Sequence, residues 1–160
     1  MELTPIDESN WREANKVLVR DDQLRFVAAH QPVALVILAK AFLQVDGRDW
    51  EPYAFRNDQR KIVGVVALAF DGVSREIFHL AIDQTMQGRG YGTWAIASII
   101  EYATSQRSCT SLSLTVHPDN VSAEHIYEQA GFVATGETRN GEPILLFTTE
   151  RQETASPSDN

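Results

Sequence analysis

The most informative segment of the chain is Gln87-Gly88-Arg89-Gly90-Tyr91-Gly92. It lies between an extended stretch that ends at Asp83 and a long run whose apolar residues recur with helical spacing. Backbone amides at the start of a helix have no partner within the helix, and the helix dipole adds positive potential there. Glycine lets the main chain approach an anion without interference from a Cβ atom, so the segment predicts a cradle for a pyrophosphate group.

Two other phosphate-binding motifs do not fit this segment. A nucleoside triphosphate loop requires Gly-x-x-x-x-Gly-Lys-Ser/Thr, and no Lys follows these glycines. The dinucleotide fingerprint Gly-x-Gly-x-x-Gly requires its third glycine one residue later than Gly92, with an opening βαβ unit before it. A nucleotide triphosphatase and a nicotinamide enzyme are therefore disfavoured.

A second block lies downstream of the glycines, where a strand-like run from Leu112 leads through Asn120 to Tyr127 and then to Gly131-Phe132. This block and the pattern Gln-x-x-Gly-x-Gly/Ala in the first segment resemble the GNAT superfamily of N-acetyltransferases over most of residues 1–150. The resemblance implies acetyl-coenzyme A (acetyl-CoA) as the co-substrate and no metal. It also implies that the strand ending at Asp83 parts from the strand at 112–116, so that the pantetheine arm of the cofactor inserts between them.

The order of elements predicts an α/β fold in a single domain over residues 1–150, followed by a disordered polar tail over 151–160. Alternating apolar residues and turn signals indicate strands near 3–6, 53–56, 61–70, 75–83, 111–116, 132–136 and 144–148. Helical spacing indicates helices near 11–18, 33–43, 90–105 and 120–131, the last one capped by Asn120. With the resemblance, this becomes a mixed, mostly antiparallel sheet of six to seven strands flanked by about four helices.

The composition of the chain limits its partners. Its 160 residues include 14 Lys+Arg and 22 Asp+Glu, and the net charge of −8 disfavours nucleic acid and anionic membranes as partners. An acidic chain fits a cationic substrate, although solubility alone explains it equally well. The chain has a single cysteine, Cys109, which excludes an intrachain disulfide and fits a small buried side chain better than a nucleophile. This cysteine content, with the lack of a signal peptide or long apolar segment, predicts a cytoplasmic protein. By analogy with the family, a homodimer is possible.

The resemblance also assigns the residues that bind acetyl-CoA. Three of them have two open roles: Gln87 binds phosphate or braces the loop, Arg89 flanks the pyrophosphate or is solvated, and Asn120 caps a helix, binds the pantetheine arm, or does both. The full expected set is Leu80, Ala81, Ile82, Gln87, Gly88, Arg89, Gly90, Tyr91, Gly92, Thr93, Asn120, Ala123 and Tyr127.

The expected chemistry is attack of a neutral amine on a thioester. Deprotonating an alkylamine with a pKa near ~10.4 at neutral pH costs on the order of 4–5 kcal/mol, so the reaction needs a base, a water relay or desolvation. His79, on the strand that enters the glycine segment, is the candidate base, with a water relay as the alternative. Tyr127 is the candidate acid that protonates the departing thiolate, and simple core packing is its alternative role.

The amino-terminal third points to the acceptor. Asp21-Asp22-Gln23 and Phe26-Val27-Ala28 resemble the bacterial diamine and polyamine acetyltransferase branch, which includes the spermine/spermidine type. Asp21, Asp22 and Glu76 are therefore the predicted substrate-binding residues, with a solvated acidic face as the alternative. Two other functions stay open: acetylation of another amine, such as a peptide amino terminus, an amino acid or an aminoglycoside, and sensing of acyl-CoA without transfer.

Overall fold

A computed structural model describes residues 2–106 and 108–149 of the chain. Its strands are β1 (Glu2–Pro5), β2 (Asp49–Arg56), β3 (Ile62–Phe70), β4 (Ser74–Ile82), β5 (Ser111–Thr115), β6 (Val133–Arg139) and β7 (Glu142–Thr148). Its helices are α1 (Trp11–Ala14), α2 (Asp21–Val27), α3 (Val33–Leu43), α4 (Tyr91–Ser105) and α5 (Val121–Gln129), with a short 3-10 turn at Val45–Gly47. The predicted tail at 151–160 lies outside the described residues.

The seven strands form one sheet in the order β1-β2-β3-β4-β5-β7-β6. All neighbouring strands are antiparallel except β4 and β5, which are parallel. That parallel pairing begins at Ser74 opposite Ser111 and ends at Glu76 opposite Ser113, whereas β4 continues to Ile82. The predicted separation of these two strands is therefore confirmed, and it opens a gap in the middle of the sheet.

Apolar side chains fill both faces of the sheet. On one side, here called the α4/α5 face, Ile96 and Ile99 of α4 pack against Leu68 of the sheet. On the other side, here called the α1/α3 face, Val33 and Ile37 of α3 pack against the sheet. Since β3 is central, it is buried along nearly its whole length and sends alternate residues to the two faces.

The predicted α/β class and the seven strands agree with the structure, and three local differences remain. The structure adds α2, which the sequence reading missed because the helix is short, buries no residue fully and has no side-chain cap. The first helix spans only Trp11–Ala14 instead of reaching residue 18. β2 begins at Asp49, before the predicted start, and buries Trp50 on the α1/α3 face. The prediction missed this part because a proline, here Pro52, argues against a strand.

Candidate active site

The glycine loop joins β4 to α4 and presents unpaired amides. Gly88 and Gly90 have φ values of +73° and +80°, and a Cβ added to either one would meet no atom within 4 Å. No amide from Gln87 to Thr93 donates a hydrogen bond to another described residue, and the first bond of α4 runs from the Trp94 amide to the Gly90 carbonyl. This loop therefore offers hydrogen-bond donors and a helix N-terminus to an anion.

The side chain of Gln87 holds this loop in place. Its Nε2 donates to the Ile82 carbonyl at 3.0 Å and to Oε1 of Gln23 at 2.9 Å. Its Oε1 accepts from Nη1 of Arg20 at 2.9 Å. Of the two roles expected for Gln87, these contacts agree with bracing of the loop. They connect the loop to α2.

A cavity of about 630 Å³ fills the gap between the parted strands. It extends from the glycine loop past the exposed edge of β4 to the start of α5. Of the residues expected to bind acetyl-CoA, Arg89 alone does not line it and is exposed; the lining ones are Leu80, Ala81, Ile82, Gln87, Gly88, Gly90, Tyr91, Gly92, Thr93, Asn120, Ala123 and Tyr127. The fold thus brings together two blocks that are distant in sequence, while their binding roles stay predictions.

Asn120 does not cap α5 with its side chain, which corrects the sequence-based expectation. Its backbone carbonyl instead accepts hydrogen bonds from the amides of Ala123 and Glu124. The reason is its backbone conformation, with φ of −90° and ψ of 57°, because a side-chain cap usually needs extended φ and ψ. Binding of the pantetheine arm is the remaining role predicted for this side chain.

Tyr127 lies on α5 at the edge of the cleft, on the α4/α5 face. Its ring packs against Phe132 with 6.0 Å between centroids, and its hydroxyl makes no hydrogen bond to another described residue. Burial raises the pKa of Tyr127 to about 12. The phenol therefore keeps its proton throughout the physiological pH range.

His79 occupies a bulge in β4, where the pairing with β3 shifts register. Its φ of +55° is unusual for a residue other than glycine, and the bulge sets the direction of its ring. Nδ1 lies in hydrogen-bonding contact with the carbonyl of Val27 in α2, and Nε2 is buried and has no partner among the described residues. Because the carbonyl can only accept, Nδ1 carries the proton in neutral His79 and Nε2 carries the lone pair.

The surroundings of His79 keep it neutral. Burial lowers its pKa below the ordinary value of 6.5, and the positive charge of Lys40 acts in the same direction. The hydrogen bond to the Val27 carbonyl opposes these effects. His79, which also lines the cleft, thus presents an unprotonated imidazole at neutral pH.

The predicted acidic substrate-binding residues do not line the cleft. Glu76 is 6% exposed, and its carboxylate accepts from Arg48 at 2.7 Å and from Arg139. Asp21 and Asp22 are exposed in the first turn of α2, where Asp22 pairs with Arg20 at 3.4 Å. The assignment of Glu76 to the substrate is therefore corrected: arginines distant in sequence neutralise this carboxylate. No Asp or Glu of the described chain lines the cleft.

α2 supplies cleft residues that the sequence reading did not identify. Gln23, Phe26 and Val27 all line the cavity. The helix also reaches the loop between β5 and α5, where the Phe26 and His117 rings lie 5.1 Å apart and Arg25 pairs with Asp119 at 3.2 Å. The sequence feature that could have identified this side of α2 is the apolar pair Phe26-Val27 after Asp21-Asp22, since apolar residues within a short polar helix mark its buried side.

Comparison with known proteins gives the family. Residues 9–132 match the model of the acetyltransferase (GNAT) family. The chain belongs to the GNAT family. This membership confirms the predicted class of enzyme, an N-acetyltransferase that uses acetyl-CoA.

Individual relatives are more distant. The spermine/spermidine N(1)-acetyltransferase of Bacillus subtilis (strain 168) is 29% identical over 66 residues, which cover 41% of this chain and 43% of that protein. Among solved structures, spermidine N-acetyltransferase from Vibrio cholerae, in complex with CoA and spermine, has a TM-score of 0.71 at 17% identity, covering 92% of this chain and 95% of that one. The aminoglycoside acetyltransferase AAC(6')-Ib, in complex with coenzyme A, has a TM-score of 0.72 at 20% identity, covering 91% and 93%. At these identities the two structures establish a shared fold.

The described residues show neither a metal site nor a membrane-spanning helix. No group of three or more His, Cys, Asp or Glu side chains there is placed to hold a metal ion. None of the helices in this part of the chain has the length and apolar content that a membrane crossing requires.

Proposed function

We propose that this GNAT enzyme transfers the acetyl group of acetyl-CoA to a small primary amine, with Tyr127 as the general acid and His79 as the general base. The observation that carries the proposal is the pair of groups at the gap between β4 and β5. Tyr127 approaches the gap from the α4/α5 face, and His79 contacts α2 and the rings of Trp50 and Phe78, which pack on the α1/α3 face. A proton donor and a proton acceptor thus flank the same cleft.

The chain's own groups match the parts of acetyl-CoA. The free amides from Gly88 to Thr93 suit the pyrophosphate, and the unpaired edge of β4 suits an extended amide-containing arm that adds like a strand. A main-chain amide near Leu80 would also stabilise negative charge on the thioester oxygen as the amine attacks.

The proton movements follow from the two pKa shifts. Nε2 of His79 accepts a proton from the attacking amine because burial holds the ring neutral. The amine nitrogen bonds to the acetyl carbon, the carbon–sulfur bond breaks, and the Tyr127 hydroxyl gives its proton to the departing sulfur. Desolvation in the cleft raises the pKa of that thiol as well, which reduces the mismatch with a phenol whose pKa is about 12.

A polyamine or diamine is the acceptor predicted from the sequence. The names of the Bacillus subtilis and Vibrio cholerae relatives support it. The AAC(6')-Ib structures support another amine, since one of them is a complex with kanamycin. The cleft itself, lined by no acidic residue of the described chain, gives a polycation no charge partner.

A thiol-release assay with acetyl-CoA tests the proposal. Spermidine, diamines, amino acids, peptides and aminoglycosides are offered in parallel, while calorimetry measures CoA binding. Turnover of at least one amine supports the proposed acetyl transfer. The amine with the highest rate of turnover identifies the class of acceptor. Tight CoA binding without turnover on the whole panel would instead favour an acyl-CoA sensor.

Tyr127→Phe isolates the proposed acid. We expect a fall in kcat of about 10²–10⁴-fold with unchanged affinity for CoA, because the substitution removes only the proton donor. Tyr53→Phe is the matched control: Tyr53 lies outside the cleft, bonded to the Tyr102 hydroxyl at 2.8 Å, and its loss should leave kcat near the wild-type value. Equal kcat for Tyr127→Phe and wild type at neutral pH would contradict the assignment.

A further inference from the structure

A cationic and aromatic cluster lies beside His79 on the α1/α3 face. The ring of His79 stacks at 6.4 Å from that of Trp50 and lies 6.1 Å from that of Phe78. Nζ of Lys40 sits 4.9 Å from the Trp50 centroid and 5.6 Å from the Phe78 centroid. The base candidate therefore adjoins a positively charged surface.

Two arginines extend this cluster. Arg48 lies 5.9 Å from the Phe78 ring, and both Arg48 and Arg139 donate through Nη1 to the carboxylate of Glu76. Glu76 faces the same side of the sheet, since it pairs with Ala69 of the α1/α3 core. One carboxylate thus holds two guanidinium groups.

Both guanidinium groups keep donors available for a ligand. The Arg48 and Arg139 side chains are 29% and 44% exposed, and their described hydrogen bonds to a carboxylate use one nitrogen each. A guanidinium that is fixed on one side and open on the other suits a second carboxylate, because its planar fork donates in pairs. Glu76 holds these arginines at the last residue of β4 that pairs with β5, directly before the cleft.

Other acidic groups also lie near this cluster. Asp46 acts on Lys40 from the exposed 3-10 turn, Asp71 interacts electrostatically with Arg48, and Glu142 pairs with Arg139 across β6 and β7. Glu51 is instead bonded to Arg75 at 3.0 Å. The open guanidinium nitrogens can only donate hydrogen bonds, so they suit a carboxylate and offer an amine no acceptor.

We propose that the acceptor is a molecule with both a primary amine and a carboxylate, an amino acid or short peptide, whose carboxylate binds Arg48 and Arg139 while its amine reaches His79. This assignment rests on the proposed acetyl transfer and names its substrate class. The amine nitrogen forms the new bond to the acetyl carbon, the bond to sulfur breaks, and the carboxylate stays unchanged.

Matched pairs of amines test the assignment in the thiol-release assay. Lysine is compared with cadaverine, phenylalanine with phenethylamine, and 4-aminobutyrate with propylamine, with spermidine as the polycation. We expect at least one carboxylate-bearing member to exceed its partner and spermidine in kcat/KM by about 10-fold or more. A higher kcat/KM for spermidine, or no preference within any pair, would overturn the assignment while leaving acetyl transfer intact.

Variants then locate the carboxylate. Arg139→Gln should raise KM for the preferred acceptor about 10-fold with little change in kcat. The KM of the decarboxylated partner should stay unchanged. Arg139→Lys should restore part of the lost affinity for the preferred acceptor, because it keeps the positive charge. Arg48→Gln gives a second test, and Arg12→Gln, on the exposed surface of α1, is the control; thermal denaturation verifies that each variant is folded. If both Gln variants kept the wild-type preference for the carboxylate-bearing amine, the assignment would be overturned. If no amine gave thiol release, the proposed acetyl transfer would fail, and this assignment with it.

Discussion

At the scale of single residues, the environment decides which groups can move protons. His79 and Tyr127 are both partly buried, and burial disfavours the charged form of each. The same effect lowers the pKa of the imidazole and raises that of the phenol. The imidazole is therefore unprotonated and the phenol protonated, which is the combination that the proposed attack by an amine and release of a thiol require.

The pH dependence of activity tests His79. Because its pKa lies below 6.5, kcat/KM should hold its value as the pH falls to 6.5 and decline only below it, where His79 gains a proton and its Nε2 lone pair is lost. His79→Ala should lower the rate and remove this acidic limb. His30→Ala, in an exposed position, should keep the wild-type profile. If the decline of kcat/KM at low pH were unchanged in His79→Ala, a water relay and not His79 would act as the base.

At the scale of elements, the glycine loop is held in place by the segments around it. β4 leads into it, α4 follows it, and Gln87 joins it to α2 through Gln23 and Arg20. A loop fixed in this way keeps its amides aimed at one position before the ligand arrives, which lowers the entropic cost of binding.

Alanine at Gly90 tests whether the loop binds the diphosphate. Both Gly90→Ala and Gly72→Ala place a side chain at positive φ, so each should cost about 1–2 kcal/mol of folding free energy. Only Gly90→Ala adds a methyl group at the expected phosphate position, and we expect its Kd for CoA to rise about 10-fold or more, measured by calorimetry. Equal Kd values for the two variants would show that the phosphates bind elsewhere.

The elements that the sequence predicted well are those with strong local signals. The strand and helix around the glycine loop follow from apolar periodicity and from residues that tolerate positive φ. α2 lacks such signals, yet it brings Phe26 and Val27 to the cleft. Its helical state depends on contacts with β4 and the loop after β5, which no window of local sequence contains.

At the scale of the whole molecule, one sheet carries two cores and an uneven distribution of charge. The net charge is −8, but Lys40, Arg48 and Arg139 gather on the α1/α3 face beside the cleft. The total charge therefore does not describe the surroundings of the site, because a nearby charge acts more strongly on a bound group than distant, screened ones.

Truncation of the core tests the architecture. Leu68 is fully buried between β3 and α4, so Leu68→Ala should lower the free energy of unfolding by about 2–5 kcal/mol, measured by urea denaturation. Phe42→Ala, at a position 87% exposed on α3, should stay within about 0.5 kcal/mol of the wild type. A large loss from Phe42→Ala would reveal that the exposed end of α3 is covered in solution.

Local sequence was enough to predict the glycine loop, most of the strands and helices, and the position of Tyr127 between Asn120 and Gly131. These properties depend on backbone preferences and side-chain spacing within a few residues. The pairing of Glu76 with Arg48 and Arg139, and the contact of His79 with Val27, which lies 52 residues away in the chain, became visible only in the folded structure. Partners so distant in sequence meet only when the sheet has formed, so local sequence cannot show which charges it brings together.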